Sequence, residues 1–255
     1  MPFYPRNPVN LNSLGGMFSN LEPFSPGNIP GLVAWYDPSD TSSITESTGA
    51  VSAIADLGTG GLNLLQGNAS FQPTTGTRSI NSLNVLDFDG TEFMSKSGFP
   101  VPASGNLTLC MVAELDATVL DTNSIVSMDA SRDYQIDAGN ASQWNGRMRQ
   151  SSLGGAGDAN WTGGPYNSDP HVFCIVFDFT NSIRKAYIDG VQVMVDNAYT
   201  AKLNVSQNLR AFANRAGNDY CNGAMGEFYL AESCATACLA QSFAYLGDKW
   251  GITIS

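Results

Sequence analysis

The stretch from Arg184 to Val195 constrains the fold most, because it has the form of a tight β-hairpin. Its centre, Asp189-Gly190, is typical of a two-residue type I′ turn, in which both central residues need a positive φ. Residues equidistant from this turn face one another, so the predicted pairs are Ile188 with Val191, Ala186 with Val193 and Arg184 with Val195. The outward face then carries Lys185, Tyr187, Gln192 and Met194. Because residues 171–179 read as a strand buried on both faces, the sequence predicts an antiparallel sheet around this hairpin.

The chain has 255 residues, which is enough for one large all-β domain with an ample core. Its formal net charge is −11, from 12 basic and 23 acidic residues. Such a balance repels a phosphate backbone and anionic lipid headgroups, so we predict no nucleic-acid partner. No apolar run is long enough to span a bilayer, and we predict no membrane insertion. The 26 glycines are typical of a turn-rich β protein with polar loops.

The first sixteen residues lack the basic-then-apolar pattern of a secretory signal peptide. We therefore predict that the chain folds in the host cytoplasm, where it is made, and reaches any outside location by assembly or lysis. Five cysteines form no CxxC pair, and Cys110 and Cys174 lie in apolar strand patterns. A thiol in such a position is usually a small hydrophobic group. We predict reduced thiols rather than a disulfide framework or a zinc site.

Residues 1–28 differ from the remainder of the chain. Five prolines break regular structure there, yet large apolar side chains are frequent, which a disordered linker would not carry. The segment is either a strap packed along its own domain or an arm that docks on another subunit. The residues that we expect to carry attachment are Phe3, Tyr4, Phe18 and Phe24.

Many short apolar segments between turn signals predict an all-β body over residues 29–255. The predicted strands include residues 32–37, 50–56, 83–88, 106–115, 124–128, 133–136, 147–149, 171–179, 203–212 and 223–231. A second Asp-Gly turn at Asp89-Gly90 predicts another hairpin, with Phe88 opposite Thr91 and Leu86 opposite Phe93. Near the C-terminus, four apolar residues recur at helical spacing, which predicts one helix after Ser233. A two-sheet antiparallel β-sandwich of the jelly-roll type accounts for these elements.

Seven short segments occur in an order that resembles a known family. They are Pro30 to Asp37, Asp56 with Gly60-Gly61, Leu86 to Gly90, Phe173 to Asp178, Ala186 to Gly190, Gly226 to Phe228, and Tyr245-Leu246 with Lys249 to Gly251. Together they resemble the laminin-G-like, concanavalin A-like jelly-roll domains found in bacteriophage and marine viral structural proteins. The resemblance covers about residues 29–255. It implies a module that binds carbohydrate or protein surfaces, sometimes with a calcium ion, or that projects from a virion.

Some enzymes of this superfamily hydrolyse β-glucans with a Glu-x-Asp-x-x-Glu strand, in which the first two carboxylates share one face. Here Glu114 and Asp116 match the first two positions, but Val119 replaces the third carboxylate. The acid/base pair is therefore incomplete. The single histidine, His171, begins a core strand and is badly placed for nucleophilic or lyase chemistry. We predict that the protein is not an enzyme.

Two binding sites are predicted in the polar middle of the chain. Loop carboxylates at Asp129, Asp133 and Asp137 are the nearest approach to a calcium cluster, although loop carboxylates are often only solvated. Trp144, Trp161 and Tyr166 are candidates for an aromatic carbohydrate platform, or else plugs beneath long loops.

These observations predict a virion structural protein, as a capsid decoration or a head or tail fibre component on the virion surface. Its arm would dock on capsid or fibre subunits, it would form a homo-oligomer, and its jelly roll would face outward and adhere weakly to cell-surface glycans. The alternative is a carbohydrate-binding module or glycoside hydrolase of the concanavalin A-like class. No cofactor is expected other than the calcium ion.

Overall fold

The computed structural model of the chain describes residues 24–100, 105–116, 124–128, 134–137, 143–148, 159–165, 167–178, 180–197, 206–213, 220–232 and 236–255. Three predicted arm residues (Phe3, Tyr4, Phe18), two predicted calcium ligands (Asp129, Asp133) and Tyr166 lie outside these ranges.

Seventeen strands and one α-helix lie in the described part of the chain. The strands are β1 (Leu32–Tyr36), β2 (Ile44–Ser47), β3 (Ala50–Ile54), β4 (Leu64–Leu65), β5 (Thr74–Ile80), β6 (Leu83–Asp89), β7 (Met94–Pro100), β8 (Asn106–Leu115), β9 (Ser124–Met128), β10 (Tyr134–Asp137), β11 (Gln143–Met148), β12 (Ala159–Pro165), β13 (His171–Asp178), β14 (Ile183–Ile188), β15 (Val191–Asp196), β16 (Ser206–Ala211) and β17 (Asn222–Ala231). The helix is α1 (Thr236–Trp250).

Fifteen of the strands form one curled antiparallel sheet. The main order is β10-β9-β16-β7-β4-β3-β5-β6-β17-β8-β13-β14-β15, with β1 on β17 and β2 on β3. The β3–β5 connection consists of a single residue pair, Ala50 with Thr74, which divides the sheet into two halves. Their inner faces share one hydrophobic core, in which Phe88 of one half stacks on Phe212 of the other at 4.2 Å between ring centroids. The predicted all-β sandwich of the jelly-roll type with one C-terminal helix is confirmed.

Helix α1 covers the outer face of the half that contains β6, β17, β8 and β13. Leu239, Phe243, Leu246 and Trp250 pack there against a second core cluster that includes Val85, Val112 and Ala224. The strand residues that face the helix alternate with residues that face the main core, as the period of two requires. The helical spacing in the sequence therefore identified the packing face of α1. No helix in the described ranges is long and apolar enough to cross a membrane.

The Asp189-Gly190 turn is confirmed, but the register that was predicted beyond it is partly wrong. Both turn residues have positive φ (49° and 85°), and Ile188 pairs with Val191. A bulge at Val193 then shifts the pairing, so that Ala186 faces Met194. Met194 is consequently buried, whereas Val191 and Val195 are about half exposed. An extra residue in one strand reverses the face of every residue beyond it, and alternation in the sequence does not show where such a residue falls.

The hairpin that was predicted around Asp89-Gly90 does not form. Strand β6 lies between β5 and β17, whereas β7 lies between β4 and β16 in the other half of the sheet. Gly90 has a positive φ of 92°, but Asp89 does not, so the type I′ geometry is absent. The Asp89 carboxylate instead accepts hydrogen bonds from the backbone and hydroxyl of Thr91. The Asp-Gly pair therefore ends a strand and directs the chain to the other half of the sheet.

The prediction of reduced thiols is also wrong. Cys110 and Cys174 form a disulfide between β8 and β13, because the register of these neighbouring strands places them directly opposite each other. Their Cα atoms are 4.2 Å apart. Cys238 is disulfide-bonded as well, whereas Cys221 is buried and forms no disulfide. Cys110 and Cys174 are 64 residues apart in sequence, so only the strand order brings them together.

The last residues of the predicted arm pack on the domain itself. The Phe24 ring meets the Tyr245 ring of α1 edge-on at 5.7 Å, and Ile29 is buried in the same cluster. Ser25 caps a short 3₁₀ turn at Pro26–Asn28. Residues 24–28 therefore form a strap against the helix.

Candidate functional site

A β-bulge in β5 shapes a polar surface of the described chain. Thr75 pairs with Leu86 and Ser79 pairs with Asn84, so the three residues from Gly76 to Arg78 face the single residue Val85. Gly76 has a φ of 76°, which favours glycine at this position. Bulges of this kind redirect side chains and are frequent beside functional sites.

Asn84 fixes the shape of the bulge. Its side-chain oxygen accepts from the backbone N–H of Gly76 at 3.0 Å, and its side-chain NH₂ donates to the Pro38 carbonyl at 2.9 Å. The amide thus joins β5, β6 and the loop after β1. Because these hydrogen bonds fix the backbone, the surface beside the bulge keeps its shape without a ligand. A pre-formed surface lowers the entropic cost of binding.

A cleft of about 380 Å³ lies against this bulge. It is lined by Thr41, Ile44, Glu46, Gly49, Thr75, Gly76 and Asn84. Glu46 is exposed, and one of its carboxylate oxygens accepts from the Gly49 N–H at 2.7 Å. A carboxylate, an amide and hydroxyl groups around one aliphatic side chain are suited to a ligand that has both hydroxyls and an apolar face.

A charge cluster lies on the other side of the bulge. The Arg78 guanidinium binds Glu114 at 2.5 Å and Asp116 at 2.8 Å through one nitrogen, and Asp87 at 3.3 Å through another. Burial would lower the pKa of Arg78, but the hydrogen bonds that it donates to Asp116 and Glu114 outweigh burial and raise that pKa above its usual value. Arg78 therefore remains charged and bound to its three carboxylates.

The two carboxylates of the Glu-x-Asp spacing thus share one face, as that spacing requires, but they are bound to an arginine. Glu114 lies two residues after Val112, and alternation along β8 puts both on the face that α1 covers rather than on the inner face. Sequence reasoning identified neither Arg78 nor Asn84. The run Thr-Thr-Gly-Thr-Arg at residues 74–78 carried a usable signal, because a glycine inside a polar strand suggests a bulge.

Glu92 lies beside this cluster, and its pKa is higher than that of an ordinary glutamate. Burial raises its pKa to about 7, and the charges of Asp89 and Asp87 act in the same direction. Glu92 also accepts a hydrogen bond from the Asp89 N–H at 3.0 Å. This bond lowers the pKa of Glu92, but it offsets only part of the rise. The carboxylates at this end of the sheet therefore repel one another.

We expect Glu92→Gln to flatten the pH dependence of stability. The folded state holds the Glu92 proton up to about pH 7, whereas the ordinary pKa of a glutamate is 4.5, so folding binds a proton between these values. Stability must then fall as pH rises through this window, and the variant should lose less stability than the wild type. Thermal unfolding between pH 4.5 and pH 8 measures the difference, with Glu232→Gln at an exposed position as the control. Parallel pH curves for Glu92→Gln and the wild type would refute the assignment.

A second polar network lies beneath α1 and locks the helix to the sheet. Glu227 is fully buried and accepts from the Trp35 indole at 2.7 Å, the Lys249 ammonium at 2.7 Å and the Tyr245 hydroxyl at 3.1 Å. Lys249 also pairs with Asp37. Burial and the Asp37 charge raise the pKa of Glu227, while Lys249 opposes them, and burial raises the pKa of Tyr245. Because the carboxylate is enclosed by its own donors, this network is structural.

The single histidine is part of the strand framework. His171 Nδ1 lies 2.6 Å from Asp189 Oδ2, and Nε2 lies 2.6 Å from Asn167 Oδ1. Asp189 also accepts from the Val172 N–H, so it ties the hairpin turn to the start of β13. A second cleft, next to Asp169 and the C-terminal residues 251–253, opens beside this pair. As the sequence predicted, His171 begins a core strand, β13.

The predicted aromatic platform lies partly in the described chain. Strands β11 and β12 form a separate two-stranded sheet, in which Trp161 is paired with Gly146, two residues from Trp144. This sheet contacts β10 and β15, the two edge strands of the main sheet. The backbone thus brings both tryptophan positions to one hairpin, and their role in binding stays a prediction.

The calcium prediction also stays open. Asp137 is the last residue of β10, paired with Ser124, and the other two predicted ligands lie outside the described ranges. Within those ranges, no group of three histidine, cysteine, aspartate or glutamate residues is arranged to hold a metal ion.

No protein-family model matches the chain, and no curated protein matches it in sequence. Several solved structures share its fold. The Trypanosoma rangeli sialidase in complex with 2,3-difluorosialic acid has a TM-score of 0.58 at 12% identity over 90% of this chain. The binding domain of Paraclostridial Mosquitocidal Protein 1 has a TM-score of 0.58 at 12% identity over 85% of it. The binding domain of botulinum neurotoxin DC in complex with SialylT has a TM-score of 0.58 at 12% identity over 87% of it.

At these identities the likeness shows the fold and no more. The chain spans 35% of the sialidase and 52% of each of the two binding domains. It therefore has a β-rich, lectin-like fold that larger proteins also contain.

Proposed function

We propose that this chain is a non-catalytic jelly-roll module that binds glycans, with the cleft at the β5 bulge as its binding site. The observation that carries this proposal is the cleft lining, where Glu46, Asn84 and threonine hydroxyls surround Ile44. Sugar rings present hydroxyls at their edges and C–H groups on their faces. A pre-formed cleft that offers acceptors around an aliphatic side chain is complementary to both features.

The non-catalytic part of the proposal rests on the Arg78 cluster. A glycosidase needs one carboxyl group that holds a proton and one free carboxylate, on opposite sides of a bound sugar. Here Glu114 and Asp116 bind the same guanidinium nitrogen, so both carboxylates are held by one arginine rather than placed on opposite sides of a sugar. They are suited to holding β5 against β8, and we infer that this is their role.

The similar structures support the ligand class. The sialidase in complex with 2,3-difluorosialic acid and the neurotoxin binding domain in complex with SialylT are larger sugar-binding proteins that contain this fold. The Trp144 and Trp161 positions share the β11–β12 hairpin, and we propose them as a second contact for a longer glycan.

We expect Thr41→Arg to weaken glycan binding by about tenfold to a hundredfold. The new side chain would fill the cleft and pair with Glu46, which removes hydrogen bonds of about 1.5–3 kcal/mol to the ligand. The measurement is a glycan array with the whole chain, followed by titration of the best ligand. Thr45→Arg adds the same group at an exposed position of β2 that does not line the cleft, and should bind like the wild type. Equal binding by both variants would exclude the cleft as the site.

The resemblance to phage and marine viral domains supports a finer proposal. The module would be a virion structural protein, a capsid decoration or fibre component, that assembles as a homo-oligomer and presents its sandwich to cell-surface glycans. Phe24 packs on its own domain, so attachment to other subunits would rest on Phe3, Tyr4 and Phe18. In this proposal, residues 1–23 are the arm that docks on another subunit, and residues 24–28 are the strap that packs on the domain itself.

Deleting residues 1–23 should abolish attachment while the fold stays intact, because Phe24 and the cluster beneath it are retained. Light scattering with size-exclusion chromatography gives the oligomeric state, and co-sedimentation with particles gives the occupancy. Circular dichroism is the control for folding. An unchanged oligomer and unchanged particle occupancy would refute the arm.

A further inference from the structure

We propose that the cleft at the β5 bulge selects neutral or amino sugars and rejects sialylated and other anionic glycans. This inference rests on the proposed glycan-binding function and concerns the same site. It follows from the sign of the charges around the cleft and from the state of the one arginine beside it.

The cleft itself is acidic. Its described lining residues include one carboxylate, Glu46, and no cationic side chain. Glu46 is exposed and its carboxylate accepts one backbone N–H, which leaves acceptor capacity toward the cleft. A sugar hydroxyl or an ammonium group can donate to this carboxylate, whereas a sugar carboxylate would be repelled by it.

The neighbouring charge cluster adds to this field. Arg78 contributes one positive charge and Asp87, Glu114 and Asp116 contribute three negative charges, which leaves a net charge of about −2 at pH 7. Asp87 is three residues along β6 from Asn84 of the cleft wall, or about 10 Å at 3.3 Å per residue. That distance is about one Debye length at 0.1 M salt, so the cluster acts on a bound ligand. Burial together with the charges of Asp89 and Asp87 raises the pKa of Glu92.

Arg78 cannot serve as the receptor for a sugar carboxylate. An arginine that recognises a carboxylate offers it a free pair of N–H groups. In this protein one terminal nitrogen of Arg78 is bound to Glu114 and Asp116 and the other to Asp87. A ligand carboxylate would have to displace groups that belong to the fold. The arginine therefore stabilises the bulge and leaves the cleft without a cationic contact.

The acceptors that remain define the ligand class. Neutral hexoses and N-acetylated amino sugars donate hydroxyls to Glu46, and a free amino sugar also places its ammonium group in a negative field. Two net negative charges at about 10 Å, together with the Glu46 charge in the cleft wall, correspond to about a fivefold to tenfold penalty for one ligand carboxylate at low salt. The same charges favour one ligand ammonium group by a similar factor.

The test compares matched glycans on the whole chain. Unsialylated oligosaccharides, their α-sialylated counterparts and glucosamine oligomers are titrated at 20 mM and 300 mM salt. We expect at least about fivefold weaker binding of the sialylated member of each pair at 20 mM, and a smaller ratio at 300 mM. Glu46→Gln should reduce the ratio, because it removes one charge and keeps an acceptor for the Gly49 N–H. Asp248→Asn removes an exposed charge on α1 and should leave the ratio unchanged.

Two results would overturn the inference, and they differ from each other. In the first, sialylated glycans bind as tightly as their neutral parents and are displaced by neutral oligosaccharides. This would show that the cleft accepts anions, and the proposed glycan binding would stand. Failure of every glycan class to bind would overturn the proposed function and the selectivity with it. An affinity ratio that falls at 300 mM salt and in Glu46→Gln, but not in Asp248→Asn, supports both the proposed function and the selectivity.

Discussion

Lys249→Met is expected to lower the free energy of unfolding by about 3–5 kcal/mol, the usual loss when one partner of a buried ion pair is removed. Lys249, in the last turn of α1, is the cation shared by Glu227 and Asp37. Glu227 is fully buried and its pKa is already raised by burial and by Asp37. Without the ammonium group, two carboxylates would face each other under the helix, so α1 would dock less tightly. Urea titration at pH 7, followed by circular dichroism, measures the loss.

Two variants separate this network from a general effect of losing a lysine. Lys96→Met on β7 changes a half-buried lysine outside the network and should shift stability by about 0.5 kcal/mol or less. Adding Glu227→Gln to Lys249→Met removes the uncompensated buried charge and should recover part of the loss, so the two substitutions will not be additive. A loss under about 1 kcal/mol for Lys249→Met would mean that the network contributes little to holding the helix.

Replacing both Cys110 and Cys174 by alanine should cost about 4 kcal/mol, since closing a chain segment of about this length restricts the unfolded ensemble by that amount. The two residues are 64 positions apart, and their bridge joins β8 to β13 in the middle of the sheet. A chemical denaturation curve of the double variant should therefore have a lower midpoint, with little change in the folded spectrum.

Cys221, which forms no disulfide, supplies the matched control. Cys221→Ala removes a buried sulfur atom without removing a bridge, and it should cost about 1 kcal/mol from lost packing. Mass spectrometry of peptides from unreduced protein identifies the bridge directly. If residues 110 and 174 are recovered as separate thiol peptides, or if the double variant is no less stable than Cys221→Ala, then the disulfide does not stabilise the fold.

Local signals predicted the elements well. Helix α1 follows from four apolar residues at helical spacing, and the Asp189-Gly190 turn follows from residue types that tolerate positive φ. The signals failed where a choice depended on residues far away. Asp89-Gly90 has the same two residue types. However, β6 pairs with β17, more than a hundred residues later, so no hairpin forms at Asp89-Gly90. Two hairpin turns with positive φ, at Thr48-Gly49 and Asn81-Ser82, were missed, because only the first carries a glycine and neither has the Asn-Gly or Asp-Gly form.

The candidate site shows the same division. Glu114 and Asp116 were identified from their spacing, yet their partner Arg78 lies 36 and 38 residues earlier, on a strand three places away from β8 in the sheet. Spacing gives the face of a strand, but it does not say which charge lies opposite. The meaning of the carboxylate pair therefore changed from an incomplete catalytic motif to a salt-bridged support for the bulge.

The sequence by itself determined the all-β class, the C-terminal helix and the acidic character of the protein, because alternation, helical spacing and net charge are properties of the chain alone. Tertiary structure alone decided the strand order, the bulges at Val193 and at residues 76–78, the Cys110–Cys174 bridge and the cleft. Each of these depends on which distant strands become neighbours. That choice is made by burying the two inner faces against each other in one core, and no local pattern encodes it.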